Sequence, residues 1–368
     1  MVRIMNQFTP LIETLPATVP FVGPEAIVRR SGVPMRARIG ANESPFGPSP
    51  NVIAAMQAAT LDSWQYGDPE VYDLRLAIAN HHKISIDNVT VGEGIDGLFG
   101  LAVRLFVEPG VKVATSLGAY PTFNFHVAGF GGILTTTPYV HDKEAPSSLL
   151  DLAKREDARV IYFANPDNPM GTAWNANIVQ EMIDHLPPQV MLMLDEAYCD
   201  LASGTTPALD MSNPNVLRFR TFSKAYGMAG VRVGYALGHP DVISAFDKVR
   251  NHFGVNRIGQ AGAIAALADQ DYLVSVQTRV ALAREKLYTI AKANGFNPIH
   301  SSTNFVAIDC GRDGAYARKI VNGLATYGIF VRMPGVAPLN RCIRVSVGTE
   351  KDLDLLAEAL PEIVRDIA

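Results

Sequence analysis

T-F-S-K-A-Y-G-M-A-G-V-R-V-G-Y runs from Thr221 to Tyr235. One lysine, Lys224, stands between Ser223 and small, glycine-spaced residues, and Arg232 follows it on the same stretch. Largely apolar runs flank both, at 216–219 and 231–237. A lysine amine forms a Schiff base with an aldehyde cofactor. A hydroxyl and a guanidinium nearby can hold that cofactor's anionic group, the arginine through a bidentate fork. Alone, such a serine–lysine pair is more often a surface turn, so the rest of the chain has to decide.

Working outward, short apolar runs recur near Val89 and at 111–114, 133–136, 160–163 and 191–194, and the two flanking runs make seven. Most are continuously apolar rather than alternating. Strands buried on both faces of a mostly parallel α/β sheet have that character. Helical patterns separate most of them, at 98–106, 147–155 and 176–186, and two more precede them at about 50–60 and 69–83. After about residue 250 the pattern changes. Helices are expected at 258–268 and 272–294, strands at 304–309, 328–332 and 342–347, and a last helix at 351–367. A chain of 368 residues is long for one core. The expected fold is α/β: a large domain, 42–250, with a mostly parallel seven-stranded sheet sandwiched by helices, and a smaller α+β domain, 251–368. Residues 1–41, with Pro10, Pro16, Pro20, Pro24 and Pro34, read as an arm that joins the smaller domain.

Composition excludes several classes. Hydrophobic residues at 48% and charged residues at 18% describe a globular chain, not a disordered one. A net charge of −4 implies no basic face, so nucleic acid is not an expected partner. Cys199, Cys310 and Cys342 are too far apart for a CxxC metal pair or a disulfide framework, which suits a reducing cytoplasm. The N-terminus has no apolar leader pattern and no run reaches transmembrane length, so the expected location is cytoplasmic, without a membrane partner.

Further motifs sit at the strand ends. V-G-E-G-I-D-G at 91–97 contains G-x-G-x-x-G, which on its face is a dinucleotide fingerprint. That reading requires an acid at the end of the next strand, for the ribose hydroxyls. The strand ends V-A-T-S at 113–116, so the nicotinamide reading fails. The underlying physics remains: glycine amides at a helix N-terminus bind phosphate. D-E-A-Y at 195–198 puts an acid and a phenol at the ligand crevice of an open sheet. N-P-D-N-P-M-G at 165–171 is a rigid turn that can fix an amide side chain. Y-P-T-F at 120–123 offers a flat ring, and Arg344 is a charge inside an apolar strand, which needs a partner or a function. Together these suit pyridoxal phosphate. Asp195 would pair with the pyridinium nitrogen, and Tyr198 and Asn168 would reach the ring oxygen. Phe123 would cover the ring face, and Lys224 would hold the aldehyde carbon and shuttle protons.

With these motifs the chain resembles fold-type I pyridoxal-phosphate enzymes of the class I/II aminotransferase group, and within it the histidinol-phosphate aminotransferase subfamily and its paralogues. The likeness runs from Asn42 to the C-terminus. N-E-S-P-F-G-P-S-P, Y-G-D-P-E-V-Y-D-L-R, N-P-D-N-P-M-G-T, D-E-A-Y, the 221–235 stretch and I-R-V-S-V-G-T carry it. The resemblance implies Lys224 as Schiff-base lysine, Asp195 at the ring nitrogen, Tyr198 and Asn168 at the ring oxygen, and Phe123 as the stacking aromatic. It implies Thr221, Ser223, Arg232 and the backbone of Gly94, Ile95 and Asp96 at the cofactor phosphate. Tyr66 matches a tyrosine that reaches the neighbouring subunit's cofactor, which implies a homodimer with shared active sites. Arg344 matches the arginine that grips the substrate α-carboxylate, where a planar fork serves better than an ammonium. Arg332 falls on the arginine kept for a substrate phosphate. Two departures stand out. Ile95 replaces a hydroxyl donor in the phosphate loop, so backbone amides must carry more of that contact. M-P-G-V-A-P-L at 333–339 is more apolar than the histidinol-phosphate pattern and favours a paralogue for another amino acid, aromatic ones included.

The expected activity is ping-pong transamination. Glutamate is the expected donor, and a 2-oxo acid or a histidinol-phosphate-type ketone the acceptor. Two alternatives share the scaffold: a paralogue for aromatic amino acids, and a decarboxylase of a phosphorylated amino acid of the threonine-phosphate type. Transcription regulators with this fold need a DNA-binding domain, and no helix–turn–helix pattern is read in residues 1–41.

Overall fold

The computed structural model describes residues 8–17 and 22–367; the start of the arm, residues 18–21 with Pro20, and Ala368 lie outside the described residues. The arm contributes α1 (Pro10–Thr14), α2 (Pro24–Ser31) and β1 (Ala37–Arg38). Helix α3 (Pro50–Thr60) starts where Ser49 accepts the Val52 amide at 3.2 Å, with Pro50 in its first turn. Helix α4 (Tyr72–His82) follows.

Strands and helices then alternate: β2 (Val89–Gly92), α5 (Gly94–Phe106), β3 (Lys112–Ser116), α6 (Pro121–Gly129), β4 (Ile133–Thr137), α7 (Pro146–Glu156), β5 (Val160–Ala164), α8 (Ala176–Asp184), β6 (Met191–Asp195), β7 (Val216–Thr221) and β8 (Gly234–Leu237). The seven strands form one sheet in the order β2-β8-β7-β6-β5-β3-β4. Only β8 runs against the rest. Strand side chains alternate between two cores. Val160, Tyr162, Met191 and Met193 face Leu98, Phe99 and Phe123 of α5 and α6. Ile161, Phe163, Leu192 and Leu194 face Leu149, Leu152, Val179 and Met182 of α7 and α8. Burial on both faces explains the unbroken apolar runs.

The remaining elements are α9 (Pro240–Ala245), α10 (Arg257–Ala268), α11 (Gln270–Ala293), β9 (Asn297–Pro298), β10 (Phe305–Asp309), α12 (Gly314–Thr326), β11 (Ile329–Phe330), β12 (Cys342–Ser346) and α13 (Glu350–Ile367). Strands β9, β10 and β12 form a small antiparallel sheet. The arm's β1 pairs in parallel with β11. Five helices, α1, α2, α6, α9 and α12, were not expected from the sequence. Helix α10, grouped with the smaller domain in the sequence reading, packs chiefly on α3 and α4. The strand expected at 328–332 is shorter, and Arg332 instead makes an isolated bridge to Arg344. Among the described residues, no helix is long and apolar enough to cross a membrane.

Candidate active site

Six strands of the sheet run in one direction, so their C-terminal ends gather at one edge, where open α/β sheets bind ligands. A cleft of about 190 Å³ lies there, lined by Ile95, Asp96, Tyr120, Asn168, Asp195, Tyr198, Thr221, Ser223, Lys224 and Arg232, with Ala41 and Glu43 from the arm junction. The loops after β2, β3, β5, β6 and β7 each deliver at least one of these residues.

The Lys224 amine donates to the carbonyl of Asn42 at 3.1 Å and lies 5.7 Å from the centre of the Tyr198 ring. Burial, helped by the cationic Arg344 and Arg232, lowers its pKa to about 8. The amine is thus far closer to its nucleophilic form than an exposed lysine. Asp195 is buried at the end of β6. Its Oδ2 accepts the Tyr162 hydroxyl at 2.7 Å and its Oδ1 the Ala197 amide at 2.9 Å. Burial outweighs these bonds and raises its pKa to about 6. The Tyr198 hydroxyl accepts from Asn42 Nδ2 at 3.0 Å.

Opposite, Thr221 Oγ1 donates to Ser223 Oγ at 2.9 Å, and Arg232 Nη1 reaches that same oxygen at 3.5 Å. Ile95 and Asp96, in the first turn of α5, line the cleft beside this cluster, and Glu93 before them gives no side-chain cap. Gly94 has φ +77° and lies against the Arg232 guanidinium, so a Cβ there would collide with it. An alanine at this position displaces the arginine and adds left-handed strain of about 1–2 kcal/mol. Gly94→Ala is therefore expected to weaken cofactor binding about tenfold, the scale of one charge-assisted hydrogen bond. Absorbance titration of the cofactor measures it; unchanged affinity would show that Arg232 does not hold the phosphate.

Asn168 Oδ1 accepts Arg344 Nη1 at 2.6 Å. Arg344 sits over the Phe305 ring, and its buried Nε has no hydrogen-bond partner. Burial lowers its pKa to about 10, which leaves it charged at neutral pH. Arg332 and Arg344 are joined backbone to backbone, each amide donating to the other's carbonyl, at 3.2 and 2.6 Å. Arg332 also reaches the Val22 carbonyl at 3.4 Å.

Phe123 is the correction. It was expected over the cofactor ring, but it is 0% exposed and packs between Phe99 and Tyr162 on the core side of α6. Pro121 starts α6, so Tyr120 is the residue left at the sheet edge, and it is Tyr120 that lines the cleft. A proline in the first helical turn was the available signal. Asn42 was also missed. Its φ of 55° turns the N-E-S-P loop, and its polar atoms tie Lys224, Tyr198 and Ser346 together. Tyr66 is 77% exposed, meets the Phe253 ring at a tilt of 38° and is absent from its own chain's cleft.

A buried amine of lowered pKa, a buried acid facing the same cleft, and a hydroxyl–arginine–amide cluster fit pyridoxal phosphate in its three parts. Behind Asn168, Arg344 Nε remains a buried cationic donor without a hydrogen-bond partner. These features define a pyridoxal-phosphate enzyme of fold type I. Residues 37–360 match the class I and II aminotransferases, and the chain belongs to that family. It is similar along its whole length to the solved structure of a histidinol-phosphate aminotransferase from Sinorhizobium meliloti in complex with pyridoxal-5'-phosphate: 54% identical, TM-score 0.97, covering 100% of both chains. It is 34% identical over 330 residues to histidinol-phosphate aminotransferase 2 of Nitrosospira multiformis, covering 88% of this chain and 82% of that one. With the histidinol-phosphate aminotransferase of Roseiflexus castenholzii it shares 31% over 369 residues, 98% and 99% of the two chains. The protein is an aminotransferase, and pyridoxal phosphate is its cofactor.

Proposed function

We propose that the enzyme moves an amino group between glutamate and a histidinol-phosphate-type ketone in two half-reactions. The observation that carries this reading is the bridged pair Arg332 and Arg344. Two guanidinium groups held on neighbouring backbone segments suit a substrate with two anionic ends. Arg344 would take the α-carboxylate of glutamate, and Arg332 the γ-carboxylate of glutamate or the phosphate of the other substrate. The chain-long similarity to a histidinol-phosphate aminotransferase supports the same substrate. Within the apolar stretch at 333–339, Leu339 is buried with Met170, Ala307 and Cys342, so that residue's apolar character is used in packing.

Bound pyridoxal phosphate supplies an aldehyde that carries the amino group and a ring that accepts electrons from the α-carbon. The chain's own residues do the rest. Asp195 would pair with the ring nitrogen and keep it protonated, Tyr198 and Asn168 would bond the ring oxygen, and Tyr120 would supply the aromatic beside the ring. Thr221, Ser223, Arg232 and the amides of Gly94, Ile95 and Asp96 hold the phosphate. Lys224 Nζ moves the proton from the substrate α-carbon. The test is to add single amines to the cofactor-loaded protein and follow the cofactor spectrum. Glutamate and histidinol phosphate are expected to convert it to the amine form, and phenylalanine and tyrosine are not. Carbon dioxide release would sink transamination in favour of decarboxylation.

The same reading includes a homodimer. Leu61, Trp64, Tyr66 and Phe253 leave a wide apolar surface exposed, and such surfaces mark interaction sites. On this reading Tyr66 completes the partner's phosphate site. Mixed dimers test it. Tyr66→Ala and Lys224→Ala protomers are each expected to be impaired alone. Mixing them should restore one working site per mixed dimer, since the Lys224→Ala protomer supplies the missing tyrosine. No recovery in demonstrably mixed dimers would remove Tyr66 from the partner's site.

A further inference from the structure

Two buried acids stand outside the reaction scheme, Glu144 in the segment after β4 and Asp167 in the loop that carries Asn168, 1% and 2% exposed. The segment after β4 is stitched to this loop almost residue by residue. Thr172 Oγ1 donates to the Asp142 carbonyl at 3.1 Å, Lys143 Nζ to the Ala173 carbonyl at 3.2 Å, and Trp174 Nε1 to the Glu144 carbonyl at 2.7 Å. Glu144 Oε1 accepts the Ala164 amide at 3.1 Å, at the last residue of β5. Asp167 folds the loop about itself. It accepts the Tyr139 hydroxyl at 2.8 Å and the Met170 amide at 2.9 Å, and its own amide donates to the Thr172 carbonyl at 2.8 Å. The next residue, Asn168, holds Arg344.

One atom in this clamp is unaccounted for. Glu144 Oε2 is buried without a hydrogen bond of ordinary geometry, beside Ser116 and Asp167. A bare carboxylate oxygen there would be costly. Two adjacent acids in an apolar setting cannot both ionise cheaply. Burial, then the neighbouring acid, pushes Glu144 well above the usual range. Burial likewise raises Asp167. The other charged or titratable groups facing the pair are Asp195, Tyr139, Tyr162 and Arg344, and among them only Arg344 is cationic.

We propose that Glu144 is a positioning residue, protonated in the working enzyme, whose shared proton with Asp167 holds the 165–171 loop so that Asn168 keeps Arg344 aimed at the substrate carboxylate. The proposal rests on the reading of Arg344 as the carboxylate grip. A neutral Glu144 also leaves Asp195 free of a second nearby negative charge. Both acids bind protons more tightly folded than unfolded. The stability they give is present at low pH and is lost as pH rises through the pair's folded range, where a second charge forms inside the clamp.

The test compares the cofactor-loaded wild type, Glu144→Gln and Glu144→Ala from pH 6 to 9. One readout is the dissociation constant of succinate, an unreactive dicarboxylate. The other is amide exchange of residues 164–174, corrected for the intrinsic effect of pH. Glutamine mimics the protonated acid, so Glu144→Gln is expected to bind succinate within about threefold of wild type at pH 7, and Glu144→Ala about tenfold more weakly, the scale of one buried hydrogen bond lost. Wild type should lose loop protection and succinate affinity together as pH rises, and Glu144→Gln should lose neither. A glutamine variant as weak as the alanine variant would overturn the proposal. So would wild type and Glu144→Gln losing protection in parallel. If Glu144→Ala does not fold, the glutamine comparison decides alone. Failure of wild type to bind succinate would count against Arg344 as the carboxylate grip, while the exchange profile still tests the clamp.

Discussion

Lys224→Ala is expected to lower amino-group transfer by roughly four orders of magnitude, since on the proposed reading one residue both holds the cofactor carbon and moves the α-proton. The variant should still bind pyridoxal phosphate, because Asp195, Ser223, Arg232 and the α5 amides are untouched. Colour change on mixing separates these effects: retained cofactor with no covalent attachment is the expected result. Normal turnover would show that another group is the nucleophile. A finer prediction concerns pH. Only the neutral amine attacks an aldehyde. With a pKa of about 8, roughly a tenth of Lys224 is neutral at pH 7, against about one part in three thousand for an ordinary lysine. The rate at which cofactor-free protein captures pyridoxal phosphate should climb about tenfold per pH unit and level off near pH 8. A climb that continued past pH 10 would show that burial does not act on this amine.

Much of this site was legible because its residues follow strands. A buried parallel strand announces itself by an unbroken apolar run, and the polar residue that ends the run sits at the ligand edge. Asp195 after 191–194 was found that way, and the seven-stranded sheet with it, whereas Lys224 was read from the 221–235 stretch itself and then placed after the run at 216–219. Residues placed by helix starts were harder. In Y-P-T-F the ring that reaches the cleft depends on where α6 begins, and a shift of three residues turned Tyr120 into Phe123. Helix α12 was missed because Gly314 and Gly323 dilute its pattern, although Asp313 caps it and Ala317, Ile320 and Leu324 keep helical spacing. The Glu144–Asp167 clamp left no local trace. It joins two segments through tertiary contacts, and an acid at the start of a helix-bearing segment reads as solvated surface.

Asp195→Asn is expected to cost two to three orders of magnitude in turnover, the scale seen when one preorganised electrostatic group is removed. The substitution keeps the shape and most of the packing at the end of β6, so the loss isolates the charge. Both Asp195 oxygens are already bonded, to Tyr162 and to the Ala197 amide, and burial still holds the pKa at about 6 against an ordinary 3.8. The cationic Lys224 nearby only partly offsets that burial, and on the proposed reading a protonated ring nitrogen would supply a second cation. The sign of the pH effect follows. In the cofactor-free protein Asp195 binds its proton more tightly than in the unfolded chain. Its contribution to stability is therefore full below about pH 4 and is lost as pH rises through about 6. A cation opposite it reverses that loss by favouring the ionised form. The rise in melting temperature on adding pyridoxal phosphate should thus be larger at pH 7.5 than at pH 5 in the wild type, and the difference should shrink in Asp195→Asn. An equal rise at both pH values in the wild type would mean that Asp195 does not face the ring nitrogen, whatever its place at the end of β6.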